Sequence, residues 1–420
     1  MSTLRILFII ATGGLLTARA RAEVSFNRDI RPILSENCFF CHGQDPKHRE
    51  ADLRLDERGE ALRDLGGYAA VVPGQPEKSE IIARLTSHDR DEVMPPRKSN
   101  RHVSPEQIAL LRQWIAEGAA YQKHWAYLPP ERAPLPEVKD AKWARQPFDR
   151  FVLARLEKEA LTPSPEARPE TWLRRAGFDL TGLPPTPAEL DAFAADVAAR
   201  GEKAYEDAAD GLLKSPHFGE RLAIDWLDVA RYADTHGFNN DAQRSMWRWR
   251  DWVIEAFNAG LPYDRFLTEQ LAGDLLPQPT VEQRIATGFS RNHVINSEGG
   301  IIDEEYRVEY VADRVRTMST AWLGLTTECA RCHDHKYDAI TQRDFYRLSA
   351  FFNNVPEHGE DGRVANAVPM MPAPTRGQLA ELAAQERELA ALDARIAQAP
   401  AWRAEDVETV RGIIAAVATD

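Results

Sequence analysis

The stretch Cys38-Phe39-Phe40-Cys41-His42 decides how the first part of the chain is interpreted. A C-x-x-C-H sequence is typical of covalent c-type haem attachment. Two thiols on one turn can each add to a vinyl group of the same porphyrin, and the adjoining histidine then faces the iron. Three alternatives use a cysteine pair at the same spacing: a thioredoxin-like dithiol, half of a zinc site and a local disulfide.

A second copy of the motif, Cys329-Ala330-Arg331-Cys332-His333, contains the remaining two of the four cysteines. None is left over for another site, and each copy has its histidine. This repetition favours haem over the three alternatives. The sequence therefore predicts two covalently bound haem c groups. The predicted haem-binding residues are Cys38, Cys41 and His42 for the first group and Cys329, Cys332 and His333 for the second.

The first 22 residues have the pattern of a secretory signal peptide. Arg5 precedes an apolar run over residues 6–16, and Ala20-Arg21-Ala22 has the form of an A-x-A cleavage site. The run is short against the roughly twenty apolar residues that cross a bilayer. We expect cleavage and a mature protein in the periplasm or outside the cell, with no transmembrane span, which agrees with where c-type haem is attached.

The composition excludes several classes of protein. In 420 residues, 65 acidic side chains outnumber 52 lysines and arginines, giving a net charge of −13. An acidic chain of this kind is not expected to bind nucleic acid. The 43% of hydrophobic residues is ordinary for a folded protein and excludes wholesale disorder or a polytopic membrane protein. The length predicts two or three domains.

Residues 23–118 have the order of elements of a small haem domain. Helices are expected over residues 27–36 and 78–86, and Ser104-Pro105-Glu106-Gln107 predicts a capping box at the start of a third. Met94 lies in a proline-stiffened loop, where its thioether could reach the far side of the iron. A core methionine is the alternative for Met94, and His88 and His102 are the substitute ligands.

The order of haem motif, Met-Pro-Pro loop and final amphipathic helix is similar to that of class I cytochromes c, and residues 26–118 resemble the planctomycete-type cytochrome c domain. The resemblance implies that His42 and Met94 are the axial ligands of the first haem iron. Residues 119–147 are rich in proline and predict a linker. The expected fold is mainly α, with a small class I cytochrome c-like domain followed by a larger helical haem-binding domain.

That larger domain is expected over residues 148–356, where helical patterns dominate. They include a helix at residues 221–232 and an aromatic-rich one at residues 247–257. The tryptophans predict core, with a sugar-stacking surface and polysaccharide contact as the alternative.

Five stretches of this domain resemble the helical domain of unknown function that follows the cytochrome module in exported proteins of Planctomycetes and Verrucomicrobia. These are residues 228–234, 249–252, 270–274, 298–300 and 323–338. Ala339 departs from the proline expected there. The resemblance implies the second haem on His333.

The sixth ligand of the second haem stays open at this stage. Its candidates are His236, His293, Met318, Met370 and Met371. His335 is too near His333 to reach the opposite face, and is expected at the surface or beside a propionate with Lys336. An empty sixth position would bind peroxide or another small ligand.

Acidic clusters are the other candidate sites. Asp303, Glu304, Glu305, Glu309 and Asp313 fit either a calcium or acid-base site or, with the arginines among them, a solvated helix face. Residues 225, 228 and 234 are aspartates beside Arg231 and predict an ion-pair network. No hydrolase or nucleotide-binding motif is present in the sequence.

Residues 357–420 predict a linker and a helical or coiled-coil arm. Leu382, Leu389 and Ile396 repeat every seven residues within residues 378–398, which predicts a short coiled-coil association. Related proteins run on into a further domain, so we expect that this C-terminal region is truncated.

The predicted function is electron transfer by an exported dihaem c-type cytochrome with an unidentified redox partner. One alternative is a periplasmic haem oxidoreductase that reduces peroxide or oxidises a polysaccharide-linked substrate at an open second haem. The other is a glycan-binding or surface scaffold protein. Electron transfer is preferred to conversion of a substrate.

Overall fold

A computed structural model describes residues 23–363, 366–398 and 403–417. Across these ranges the protein is mainly helical, and only isolated β-bridges occur, which confirms the mainly α prediction. The signal peptide predicted at residues 1–22 lies outside the described residues. No helix in the described ranges is long and apolar enough to cross a membrane.

The helices divide between two compact units. The first unit contains the described residues up to Pro165 together with Met318–Asn353, and the second contains Glu166–Thr317 and the described residues from Asn354 onward. The α-helices are α1 (Arg31–Asn37), α2 (Phe39–His42), α3 (Arg58–Ala61), α4 (Glu80–Thr86), α5 (Pro105–Ala116), α6 (Pro147–Lys158), α7 (Pro169–Thr181), α8 (Pro187–Arg200), α9 (Glu202–Leu213), α10 (Pro216–Val229), α11 (Trp247–Asn258), α12 (Tyr263–Ala272), α13 (Val281–Ala286), α14 (Asp303–Met318), α15 (Gln342–Ser349), α16 (Arg376–Gln398) and α17 (Ala404–Val417).

The core of the first unit is formed by α1, α4 and α5. The predicted capping box begins α5: the Ser104 hydroxyl accepts the N–H of Gln107, whose side-chain oxygen accepts the N–H of Ser104 at 2.9 Å. The apolar face of α5 then buries Trp114, whose ring lies 5.6 Å from that of Phe26. Burial of large aromatic side chains is the main source of stability in so small a core.

The segment Met318–Asn353 contains the second C-x-x-C-H motif and packs in the first unit. A 3-10 turn over Glu328–Arg331 contains the start of the motif, and two side chains of α15 donate hydrogen bonds to it. The carbonyl of Arg331 accepts hydrogen bonds from Gln342 Nε2 and from the Tyr346 hydroxyl, each at 3.1 Å. Both haem motifs therefore belong to one packing unit, although the sequence places them in successive domains.

The second unit has an aromatic core. In α11, Trp249 and Trp252 are 2% and 5% exposed, and the Trp252 ring stacks 5.6 Å from that of Phe266 in α12. These two tryptophans are core residues, as the sequence predicts. Trp247, at the start of α11, is half-exposed.

Two helices of this unit, α10 and α16, are compared with the sequence predictions for their ends and their burial. The helix expected at residues 221–232 is α10, which begins at Pro216, where Ser215 caps it, and ends at Val229 because Arg231 takes a left-handed φ of 62°. The heptad positions of α16 are exposed throughout, and its association stays a prediction.

Candidate haem-binding site

The first motif is a single helical turn. Cys38 is the N-cap of α2, and its carbonyl accepts the N–H of His42 at 2.8 Å. The N–H of Leu55 donates to the carbonyl of His42, also at 2.8 Å, which fixes the end of the turn. Both thiols and the imidazole therefore project from one turn, as attachment to one porphyrin requires.

Burial controls the protonation of this motif. It raises the pKa of the Cys38 thiol to about 12 and lowers the pKa of His42, so the imidazole is neutral at neutral pH. Neutral imidazole is the form that binds metals. The Nδ1 atom of His42 is buried with no hydrogen-bond partner among the described residues. A buried ring nitrogen without a protein partner fits a turn that binds a prosthetic group.

The second motif is a looser and more exposed turn. The N–H groups of Cys332 and His333 lie 3.3 and 3.4 Å from the carbonyl of Cys329, and both thiols are exposed. The ring of His333 is oriented by its Nδ1, which lies 2.8 Å from the carbonyl oxygen of Asp334. A carbonyl can only accept, so Nδ1 bears the proton and the Nε2 lone pair is left for a metal.

Gln44, in the loop after the first motif, makes hydrogen bonds to the segment that follows the second motif. Its Nε2 donates to the carbonyls of His335, Asp338 and Ile340, the last two at 2.6 and 3.5 Å. His124 adds a second link, since its Nε2 lies 2.9 Å from Asp338 Oδ1. The contacts of Gln44 connect residues that are 291 to 296 positions apart in the sequence.

A cavity of about 220 Å³ lies where the two motifs meet. Its walls include Phe39 and Phe40, which stand between the cysteines of the first motif, and His333 of the second. His48 and His335 line the same cavity. The structure therefore brings the two predicted haem sites together, a proximity that the sequence does not predict.

Met94 lies in the same unit as His42. Its N–H donates to the carbonyl of Arg84 at the end of α4, at 3.0 Å, and its side chain is half-buried. The substitute ligands His88 and His102 are exposed. Ligation of the first iron by Met94 stays a prediction.

The candidates for the second iron are spread over both units. His236, Met370 and Met371 belong to the second unit, where His236 is buried and the methionines are exposed, and Met318 is half-buried at the end of α14. His293, also in the second unit, has both nitrogens occupied: Nδ1 donates to the carbonyl of Val294 at 2.9 Å, and Nε2 accepts from Arg314 at 2.7 Å. His293 thus has no lone pair left for iron.

His335 is held by its own chain. Its Nδ1 accepts the N–H groups of Tyr337 and Asp338 at 3.3 and 2.9 Å, and the residue is 6% exposed. It is therefore buried, contrary to the expected surface position, because the turn after the second motif closes over its ring.

Glu304 and Asp313 of α14 form ion pairs with arginines. Glu304 pairs with Arg307 at 2.7 Å, and Asp313 pairs with Arg316 at 2.5 Å and with Arg231 at 3.0 Å. Asp303 accepts the N–H groups of residues 359 and 360, each at 2.9 Å. Among the described residues, no group of three or more His, Cys, Asp or Glu side chains is arranged to hold a metal ion.

Two stretches of the chain match models of known protein families. A model described as "Planctomycete cytochrome C" matches residues 38–98, and one described as "Protein of unknown function (DUF1549)" matches residues 147–357. The chain belongs to the DUF1549 family of planctomycete cytochrome c proteins. This confirms the resemblance that the sequence motifs suggested. Comparison with the curated proteins and with the solved structures gave no match.

Membership of the planctomycete cytochrome c family implies covalently bound haem c. The first C-x-x-C-H motif and Met94 lie inside the stretch matched as cytochrome c, and the second motif lies inside the stretch matched as DUF1549. The residue that the sequence analysis missed is His48. Its only signal was the spacing of Asp45 and His48, three positions apart in the loop after the first motif.

Proposed function

We propose that this cytochrome holds two haem c groups and transfers electrons between them. The observation that supports this most strongly is the shared cavity, in which Phe39 and Phe40 of the first motif face His333 of the second. Attachment points this close favour electron transfer between the two haem groups, because its rate falls steeply with distance.

The residues of each motif have distinct roles in the proposal. Haem c, when bound, supplies the Fe(III)/Fe(II) couple. The four cysteines would bind it covalently, while His42 and His333 would each offer a ring nitrogen to the iron. Met94 is the proposed second ligand of the first iron, and a His/Met pair gives a higher potential than two histidines.

Gln44 is the proposed brace between the two groups. Its hydrogen bonds to three carbonyls hold the chain after the second motif against the loop after the first. Electron transfer is favoured by a rigid protein, because little reorganisation then accompanies the change in charge. The contact between the buried ring of His124 and Asp338 serves the same purpose.

The proposal includes export to the periplasm or the cell exterior. It is supported by the signal-peptide pattern at residues 1–22. N-terminal sequencing of the protein purified from a Gram-negative host should begin at residue 23. A chain that retains Met1 would contradict export with cleavage.

Haem stoichiometry is the first experiment. The protein would be produced with a cytochrome c maturation system, and haem counted by the pyridine haemochrome assay. We expect two haems in the wild type and one in each of the double variants Cys38→Ala/Cys41→Ala and Cys329→Ala/Cys332→Ala. A wild type with a single haem would overturn the dihaem proposal.

Two further measurements test the ligand and the transfer. Met94→Ala should abolish the thioether-to-iron band of the ferric spectrum, and Met246→Ala, which changes the methionine that caps α11 in the other unit, should leave it unchanged. Rapid photoreduction of one haem should be followed by electron redistribution within the molecule. Two haems that equilibrate only through collisions between molecules would refute intramolecular transfer.

The oxidoreductase alternative predicts a different result in the same preparation. An open second iron would be high-spin and would react with peroxide. Two low-spin irons that leave peroxide unchanged would count against it, and glycan binding without electron exchange would favour the scaffold alternative.

A further inference from the structure

His48 is a histidine of the shared cavity with no role in the proposed function so far. It lies in the loop that follows the first motif, and its ring centroid is 5.0 Å from that of Phe40. Its side chain is 49% exposed, so it makes little contribution to the core. A half-exposed histidine beside the two phenylalanines of the cavity wall is suited to bind a group in the cavity.

The ring of His48 is oriented as metal-binding histidines are. Its Nδ1 lies 2.9 Å from Oδ2 of Asp45. A carboxylate only accepts hydrogen bonds, so Nδ1 bears the proton and Nε2 keeps its lone pair. Histidines that bind metals almost always donate their other ring N–H to a carboxylate or a carbonyl in this way.

His333 has the same arrangement on the other side of the cavity, with Nδ1 bonded to the carbonyl of Asp334 and Nε2 left with its lone pair. His335, the third histidine of the cavity, differs because its Nδ1 lone pair already accepts two backbone N–H groups. In that tautomer, Nε2 of His335 bears a proton and cannot bind a metal. The cavity therefore presents two lone pairs, from His48 and His333.

The geometry points to His48 as the sixth ligand of the second haem iron, opposite His333. This inference rests on the proposed second haem and deepens it. The first motif's loop would then supply a ligand to the second motif's iron, which would couple the two haem sites through a segment in which His48 is only seven positions from Cys41. The second haem would have two histidine ligands, a lower potential than the first, and no open position for peroxide.

The test uses the mature, full-length protein carrying both haems. Wild type should contain two low-spin haems in the ferric state. In His48→Ala, we expect the haem count to stay at two while about half of the haem becomes high-spin, and added imidazole to restore the low-spin spectrum. His217→Ala, which removes a histidine of the second unit that is 47% exposed and has its Nδ1 2.6 Å from a carboxylate three positions along the chain, should match the wild type.

A second variant keeps the test valid if His48→Ala loses haem during maturation. His48→Met should remain low-spin and raise the potential of one haem only, with a second thioether-to-iron band. Two haems whose spectra and potentials do not change in either variant would overturn the inference and leave the dihaem proposal intact. A wild type with one haem would overturn both.

Discussion

Glu357 neutralises the buried guanidinium of Arg314 and the partly exposed one of Arg291 in the second unit, and Glu357→Gln tests how much the stability of the unit depends on its charge. The Glu357 side chain is 3% exposed and that of Arg314 is 1% exposed. Glu357 accepts both terminal nitrogens of Arg314 in a bidentate pair and Nη1 of Arg291 at 2.8 Å. The substitution keeps the size of the side chain and removes its charge.

The expected loss of stability depends on the charge that stays buried after the substitution, which is the guanidinium of Arg314. Removing one partner of a buried ion pair costs about 3–5 kcal/mol, because the other charge is left without compensation. Here Arg314 is fully buried and Arg291 is 20% exposed, so Arg314 accounts for most of the loss. The amide oxygen of glutamine still accepts one hydrogen bond, which argues for the middle of that range, about 4 kcal/mol.

Native-state hydrogen exchange of α14 is the appropriate assay, since it reports the local opening free energy in the complete protein. The matched control is Glu304→Gln on the same helix, where an exposed glutamate pairs with Arg307 at 2.7 Å. Exposed pairs contribute little, so the control should leave the exchange of α14 unchanged. If Glu357→Gln had no larger effect than Glu304→Gln, the reasoning from burial would be refuted.

Three other predictions concern protonation, bracing and close packing. Burial of His293 and, after it, the nearby charge of Arg314 hold the pKa of His293 well below 6.5. The stability that neutral His293 contributes is therefore complete above about pH 6.5. Below that pH the free energy of unfolding falls by about 1.4 kcal/mol per pH unit, because the unfolded chain binds a proton that the folded one does not. Urea unfolding between pH 7.5 and 5 should show this slope in the wild type and a flatter one in His293→Gln; equal slopes would contradict it. Gln44→Ala should cost about 1–2 kcal/mol and speed amide exchange across residues 335–340, and unchanged exchange would mean that Gln44 is not a brace. Gly43→Ala should destabilise the first motif by about 1–3 kcal/mol in thermal melting, because its Cβ would lie 2.3 Å from the carbonyl oxygen of residue 39. Gly59→Ala, where a Cβ meets nothing within 4 Å, is the control, and equal melting temperatures would refute the clash.

Local features of this protein could be predicted because they depend on neighbours in the chain. The capping box joins Ser104 and Gln107, which are three positions apart. Their side chains satisfy backbone N–H groups of the first helical turn, so the spacing of the two residue types is enough to predict it. The burial of Trp249 and Trp252 was predicted from the residue type, because large aromatic side chains dominate protein cores.

The end of α10 shows where such patterns fail. Apolar and polar residues continue at helical spacing beyond Val229, yet the helix stops there. The left-handed backbone of Arg231, whose guanidinium lies 3.0 Å from Asp313, redirects the chain. A contact with a residue more than eighty positions away is not visible in a local pattern.

The sequence by itself determined the two C-x-x-C-H turns, the helical class and the family, because each of these is a matter of spacing within a few residues. The tertiary structure alone decided that the second motif packs in the first unit, that Gln44 reaches the carbonyls beyond it, and that His48 shares a cavity with His333. The physical reason is that these contacts join segments that are hundreds of positions apart, and their distances depend on how every intervening helix packs.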